Sequence, residues 1–348
     1  MIQVKKEGII LNKTSLPFEN EGVMNPAAIR EGNFVHILYR AVRIGNHSTI
    51  GYCQLEGPLS MVKRNKTALL IPEFDYESHG LEDPRIVKIE DIYYLTYTGF
   101  DGVNALGCLA VSKDLIHFEK KGVIVPQITY AEFDLLAENT SPINTKYFRY
   151  NEHIGILESD KEKSLVWDKN VIFFPRKIEG KFYFLHRIKP DIQIVVGVDN
   201  LEDLTATFYQ EYLKHFNDCV VLSSKFDHEV SYVGGGCPPI ETPQGWLLIY
   251  HGVKDGINGY IYSACAALLD LENPKIELAR LPYPLFFPQV EWELKGEVNN
   301  VCFPTGAAVF DNILYIYYGA ADERIACASV SLSGLINELL LYTIQDDK

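Results

Sequence analysis

The string GLEDPRI, residues 80–86, sets two adjacent carboxylates, Glu82 and Asp83, against Pro84 and Arg85 at the start of an apolar run. Strand alternation does not call for such a pair, so it is either a salt-bridged turn or a carboxylate aimed at a substrate. Comparable chemistry recurs along the chain: Asn25-Pro26 with Arg40 and Arg43, then Lys169-Asn170 with His186 and Arg187. Further on come His228, Glu229, Tyr232, the run Gly234-Gly235-Gly236 and His251, and finally Tyr317, Tyr318 and Asp322. Carboxylates, guanidiniums, imidazoles and aromatic rings gathered at one mouth would make a carbohydrate site. Sugars need bidentate bonds to vicinal hydroxyls, an aromatic platform for their C–H faces, and an acid to protonate the leaving oxygen. Singly, each group has a structural alternative. A Tyr-Arg pair at a strand end is an ordinary surface contact, His251 a satisfied core histidine, and the glycine run a tight bend.

The elements that must bring these groups together are strands. A turn residue or Gly precedes a short aromatic and β-branched run in GNFVHILYRAV, DIYYLTYTGF, GKFYFLHRI, GWLLIYHGV and DNILYIYYGAAD. Each is followed by a small-residue partner such as ALGCLAVS or RIACASVSL. Five such units at irregular spacing point to an all-β fold, a five-bladed β-propeller whose central strands converge on an axis. A two-sheet sandwich is the alternative. The stretches 131–170 and 201–216 have ambiguous periodicity and could hold a helix or an insertion. No Pro/Gly/Ser-rich linker marks a boundary, so residues 1–348 read as one catalytic domain with N- and C-terminal extensions and a possible insertion around 131–170.

Composition removes several classes of function. With 47% hydrophobic residues among 348, the chain can bury a large core, and its net charge of −14 opposes nucleic-acid binding. No apolar run reaches the ~18–20 residues that span a bilayer. The start, MIQVKKEGII, lacks the apolar core of a signal peptide, so the cytoplasm is expected, or the periplasm if a leader has been removed. Seven cysteines, never in CxxC spacing, read as small core hydrophobes of a reducing compartment. No HExxH, EF-hand, Cys/His cluster, GK[ST] phosphate loop or GxSxG occurs, so no metal and no cofactor are expected.

The strings NPAAI, LYRAV, GLEDPRI, FPRKIEGKFYFLHR, GGGCPPIETPQGWLLIYHGV, LLDLENP and YYGAAD together resemble glycoside hydrolase family 130. That family comprises β-mannoside phosphorylases and some β-1,2-mannosidases, and the resemblance runs from about residue 20 to 330. It implies a five-bladed propeller and inverting, metal-independent attack on a terminal β-mannosyl unit. Asp83 matches the general acid, whose proton reaches the glycosidic oxygen through the 3-hydroxyl of the transferred mannosyl residue. Asn25, Arg40 and Asp322 match positions holding the sugar in the −1 subsite, and Arg85 is expected to orient Asp83 or its neighbour. A nearby cation lowers a carboxyl pKa, so an acid here needs a compensating influence.

On the nucleophile side, the resemblance matches His251 and Arg187 to groups that cradle inorganic phosphate. Lys169-Asn170 stands where an Arg-Asn pair is usual, and Tyr232 replaces the lysine expected before the glycine run. Loss of that lysine favours hydrolysis, with Glu229 as the carboxylate that activates water and Glu241 or Glu272 as lesser candidates. The alternatives are phosphorolysis with inorganic phosphate as co-substrate, and a non-catalytic mannoside-binding propeller. A β-mannoside oligosaccharide is the expected partner, and a homo-oligomer is possible.

Overall fold

The computed structural model describes residues 2–138, 143–148 and 163–344. They are mostly strand, with few helices, and the strands pair as five antiparallel units in chain order. The first unit is β2 (Gly22–Glu31), β3 (Phe34–Arg43), β4 (His47–Glu56) and β5 (Ser60–Arg64). The second is β6 (Gly80–Ile89), β7 (Ile92–Phe100), β8 (Ala105–Ser112) and β9 (Phe118–Val123). The third is β10 (Asp168–Phe173), β11 (Phe182–Ile188), β12 (Ile192–Val198) and β13 (Val220–Leu222). In the fourth, β14 (Tyr232–Gly235) and β15 (Ile240–Thr242) share β16 (Gly245–Gly256), followed by β17 (Gly259–Leu269) and β18 (Glu277–Arg280). The fifth joins β19 (Cys302–Phe310), β20 (Ile313–Ala320) and β21 (Arg324–Ser331) to β1 (Lys5–Leu11), so the first strand of the chain completes the last unit.

Local sequence explains the hairpins. Asp311 and Asn312 take φ of 45° and 65° between β19 and β20, the left-handed pair that a two-residue turn requires. Within the strands, branched and aromatic side chains alternate onto faces that pack unit against unit. Leu247, Ile249, Ala264 and Ala266 meet Leu314, Ile316 and Ala326 in one such layer. The first strands lie beside one another: β2 packs on both β6 and β19, and β10 on both β6 and β14.

A buried glutamate, 0% exposed, anchors four of the units. Glu19 accepts from the Tyr39 hydroxyl of β3 at 2.7 Å and pairs with Arg64 of β5 at 2.8 Å. Glu77 accepts from the amides of Glu73 and Phe74 and pairs with Lys120 of β9 at 2.7 Å. Glu229 accepts from the amides of Lys225 and Phe226, from the Tyr250 hydroxyl of β16 and from Arg280 of β18. Glu293 accepts from the Gln289 and Val290 amides, the Tyr318 hydroxyl of β20 and Lys6 of β1. Each glutamate thus ties the loop before a first strand to its unit's outermost strand.

The third unit differs. Asp168, at the start of β10, holds His186 Nδ1 at 2.7 Å, and His186 Nε2 meets the Tyr212 hydroxyl at 2.7 Å. Tyr212 lies on helix α2 (Ala206–Lys214), capped by Thr205, so 201–216 contains a helix rather than a bare insertion. Helix α1 (Tyr130–Glu138) packs beside α2. Of the expected insertion around 131–170, residues 139–142 and 149–162 lie outside the described residues. All seven cysteines are buried and unpaired. Among the described residues no helix is long and apolar enough to cross a membrane.

Removing the charge of the Glu77 anchor leaves the buried Lys120 with only the more distant Glu73, 3.8 Å away. Glu77→Gln is expected to cost about 3 kcal/mol. Glu229→Gln should cost less, because Arg280 keeps its pair with Glu277. A urea midpoint unchanged from wild type would show that the anchors carry no stability.

Candidate active site

The first strands are not regular where the chemistry gathers. Register shifts fall between Met24 and Ala27, Glu82 and Arg85, Lys169 and Ile172, and Pro304 and Gly306. At the first three, Asn25, Asp83 and Asn170 take φ of 49°, 49° and 54°. Such bulges re-aim side chains, and Asn and Asp tolerate the left-handed region better than other L-residues. The Pro after Asn25 and after Asp83 follows the bulged residue in both strands. Together they point three polar side chains into one cavity of about 210 Å³.

One wall of the cavity is acidic. Asn25 Nδ2 donates to Asp83 Oδ1 at 2.6 Å, Arg40 pairs with Glu82 at 2.8 Å and lies 3.9 Å from Asp83, and Lys169 reaches Glu82 at 3.3 Å. Asp322, from the turn between β20 and β21, lines the same wall. The two aspartates are pushed in opposite directions. Burial raises the Asp83 carboxyl, but Arg40, Arg85 and Lys169, with the Asn25 hydrogen bond, outweigh it and hold the group below the usual range. Burial, aided by Asp83, Glu82 and Glu297 and only partly opposed by Arg40, lifts Asp322 to about 6.

The other wall is basic and aromatic: Lys169, Asn170, Arg187, Lys189, Tyr232 and Tyr262. Sequence reasoning missed Lys189. Arg187 and Lys189 are two residues apart at the end of β11, and that period-2 spacing was the available signal. Lys189 Nζ lies 4.1 Å from the centre of the Tyr232 ring, and the Arg187 guanidinium 5.5 Å from it. A cation therefore stands beside the tyrosine that replaces the expected lysine. Burial first, then Arg187 and Lys169, drives the Lys189 ammonium well below its ordinary value. The Tyr232 hydroxyl meets that of Tyr262 at 2.6 Å.

Three expected residues lie behind these walls. Arg85, 1% exposed, donates to the carbonyls of Asp83, Gly235 and Gly236, fastening the Asp83 bulge to the glycine run. His251 is fully buried, with Arg187 Nη1 3.4 Å from its Nε2, and burial, Arg187, Arg85 and Lys189 keep the imidazole neutral. Glu229 does not reach the cavity. Its oxygens are occupied by the four donors of the fourth unit's anchor, so the structure does not place the expected water-activating carboxylate at the site. Glu241 is outside too, paired with Arg176 on the surface, and Glu272 lies in the exposed turn after β17.

The glycine run has no left-handed residue, so it is not a tight bend. A Cβ on Gly234 would lie 2.4 Å from His251 Nε2, and one on Gly236 2.4 Å from the Ile249 carbonyl oxygen. The three glycines make room for the imidazole and for close strand approach. His228, Glu229 and Cys265 come within 4.8 Å of one another, as metal ligands would. Glu229 is already saturated and burial raises the Cys265 thiol well above its ordinary value, so neither suits a cation. A larger groove of about 890 Å³ on the flank of the second and third units holds none of the predicted residues.

The cavity thus sets a bulged carboxylate against a basic wall, and comparison with known proteins gives the family. A family model described as beta-1,4-mannooligosaccharide phosphorylase matches residues 7–340, and the chain belongs to glycoside hydrolase family 130. It is 34% identical to a 1,2-beta-oligomannan phosphorylase of Thermoanaerobacter sp., covering 96% of this chain and 99% of that one. It is 31% identical to a beta-1,2-mannobiose phosphorylase of the same organism, over 90% and 91% of the two chains. The fold is similar to that of a beta-1,2-mannobiose phosphorylase from Listeria innocua, with a TM-score of 0.72, 21% identity and coverage of 98% and 100%.

The raised Asp322 carboxyl has a pH signature. Its folded-state pKa of about 6 exceeds the ordinary 3.8, so between those values the folded state binds more protons than the unfolded one. Its contribution to stability is thus full below pH ~4 and is lost as pH rises through 6. Asp322→Asn is expected to flatten that fall, measured as urea midpoints from pH 4 to 7. An unchanged slope would contradict the assignment.

Proposed function

We propose that this chain is an inverting β-1,2-mannoside phosphorylase built as a five-bladed β-propeller in one catalytic unit. The antiparallel units, their adjacent first strands and the pairing of β1 with the last unit support the propeller. The observation that carries the reaction is the grouping of Arg187, Lys189 and Lys169 around Asn170 and Tyr232, opposite Asp83. Cations packed this closely repel one another, and a phosphate dianion relieves that repulsion with charge-assisted bonds. The neutral His251 behind Arg187 positions its guanidinium without adding a fourth charge. The names of the relatives support the β-1,2 linkage.

In this reading Asn25, Arg40 and Asp322 hold the terminal mannosyl unit. A phosphate oxygen attacks C1 from the basic wall while the C1–O bond to the next sugar breaks on the opposite face. The leaving oxygen takes the Asp83 proton through the sugar's 3-hydroxyl, and α-mannose 1-phosphate departs. Asp83 is held ionised by the cations around it when the cavity is empty. Phosphate neutralises part of that field and lets the carboxyl gain the proton it must donate. The co-substrate thereby primes the acid, and no further cofactor is invoked.

Hydrolysis is the second reading, favoured by Tyr232 in place of the usual lysine. Lys189 weighs against it by returning a cation to the same spot, and so does Glu229, which is locked in its anchor away from the cavity. A cytoplasmic site of action suits phosphorolysis, which conserves the bond energy as a sugar phosphate.

With β-1,2-mannobiose, mannose 1-phosphate is expected to accumulate only when phosphate is supplied, and Asp83→Asn should cut kcat by at least ~10²-fold. Mannose release independent of phosphate would establish hydrolysis instead. Lys189→Met is expected to raise the KM for phosphate about tenfold or more while changing the KM for mannobiose little. Equal effects on both constants would remove Lys189 from the phosphate site.

A further inference from the structure

A row of rings leaves the cavity on the Asp83 side. Trp167 lines the cavity wall beside the Lys169–Glu82 pair. Its ring meets that of Phe100 edge-on at 6.2 Å between centroids, Phe100 meets His79 at 6.0 Å, and His79 stacks on His47 at 5.2 Å. The four side chains come from three different units: Trp167 precedes β10, Phe100 ends β7, His79 precedes β6 and His47 begins β4. His79 is exposed and the others are half-buried, so the row is open to solvent along its length.

The support beneath the row is rigid. Gly102 has φ +99°, and a Cβ there would lie 2.9 Å from the His79 ring, so glycine seats the imidazole against the tip of the β7–β8 hairpin. Asp101 Oδ1 accepts from the Val103 and Asn104 amides, closing that tip. On its other side Trp167 Nε1 donates to the Val103 carbonyl at 2.8 Å, and Asn104 Oδ1 accepts from the Leu165 amide. The hairpin tip is therefore wedged between Trp167 and His79 and holds both rings. None of these contacts serves the −1 sugar or the phosphate.

We propose that Trp167, Phe100, His79 and His47 form distal subsites for the leaving-group portion of a β-mannoside chain, taking sugars beyond the one next to the cleaved bond. The inference rests on the mannoside-cleaving reading of the cavity and extends it to chain length. The row is continuous with the cavity on the side where Asp83 delivers its proton, which is where the leaving chain must emerge. Successive rings are spaced close to the length of one pyranose, and the electron-rich faces of aromatic rings attract the C–H faces of sugars. An enzyme so equipped works on oligomers in preference to the disaccharide.

The test is a series of β-1,2-linked manno-oligosaccharides of two, three and four residues, with product release measured with and without phosphate. Wild type should show a kcat/KM that rises with length, and equal values for all three would overturn the proposal. His79→Ala and His47→Ala are expected to lower the ratio of tetrasaccharide to disaccharide kcat/KM by about 3- to 10-fold, the worth of one ring contact. A ratio unchanged by both variants, or a uniform loss on every substrate, would also overturn it. Turnover without phosphate would sink the phosphorolysis reading while leaving the length ratio to judge the subsites. If nothing is cleaved, calorimetry of the tetrasaccharide against wild type and His79→Ala decides the matter: an affinity lowered by the same factor supports the strip, and an equal one refutes it.

Discussion

Four buried glutamates, each gripped by the outermost strand's cation, are the constraint on which the rest of the structure depends. Glu19, Glu77 and Glu229 stand three residues before β2, β6 and β14, so each sets the point where a first strand begins. Six residues after Glu19 and Glu77 come Asn25 and Asp83, the left-handed residues at the bulges. A buried ion pair of this kind disfavours slippage, because a slip would separate a buried charge from its partner. The register of the bulge, and with it the aim of Asp83, is thus inherited from a charge pair on the far side of the sheet. Arg85 completes the fastening by joining the Asp83 carbonyl to the glycine run of the fourth unit.

The third unit departs from this plan where the basic wall is built. Asp168 and His186 replace the glutamate and tyrosine, and Tyr212 on α2 replaces the cation. The Asp168 carboxylate also accepts from the Arg187 amide at 3.2 Å, so the anchor holds the strand ends that carry Lys169, Arg187 and Lys189. Around the cavity, charge is distributed so that neighbours perturb one another. The cations depress Asp83, while Asp83 and Glu82 help to raise Asp322. Burial and neighbouring charge thus push two carboxylates of one small cavity in opposite directions.

Particular residues show where sequence reasoning ended. The five aromatic strand runs were legible because strand formation follows local alternation and turn chemistry, and the polar residues at their ends were legible as a set. Glu229 was misleading because E-x-x-Y before a glycine run looks like an isolated functional carboxylate. Its equivalence to Glu19 and Glu77 appears only once Arg280 and Tyr250 are seen around it, as Arg64 and Tyr39 are around Glu19. Tyr232 misled in the opposite way, since the lost lysine could be counted along the chain but its replacement by Lys189 required two strands to be brought together. The tight bend that was the structural alternative for the glycine run is not found; the His251 imidazole presses against Gly234, and Gly236 faces the Ile249 carbonyl.

By itself the sequence determined the all-β character, the family, and the presence of a carboxylate between proline and cation at position 83. These rest on interactions between residues close along the chain, or on strings that resemble a family as a whole. Which carboxylates share the cavity and which are sealed into anchors was decided only by the tertiary structure. The physical reason is that strand periodicity assigns a side chain to one of two faces and no further. Protonation and ligand binding depend on charges within a few ångströms, and here those charges come from units separated by scores of residues.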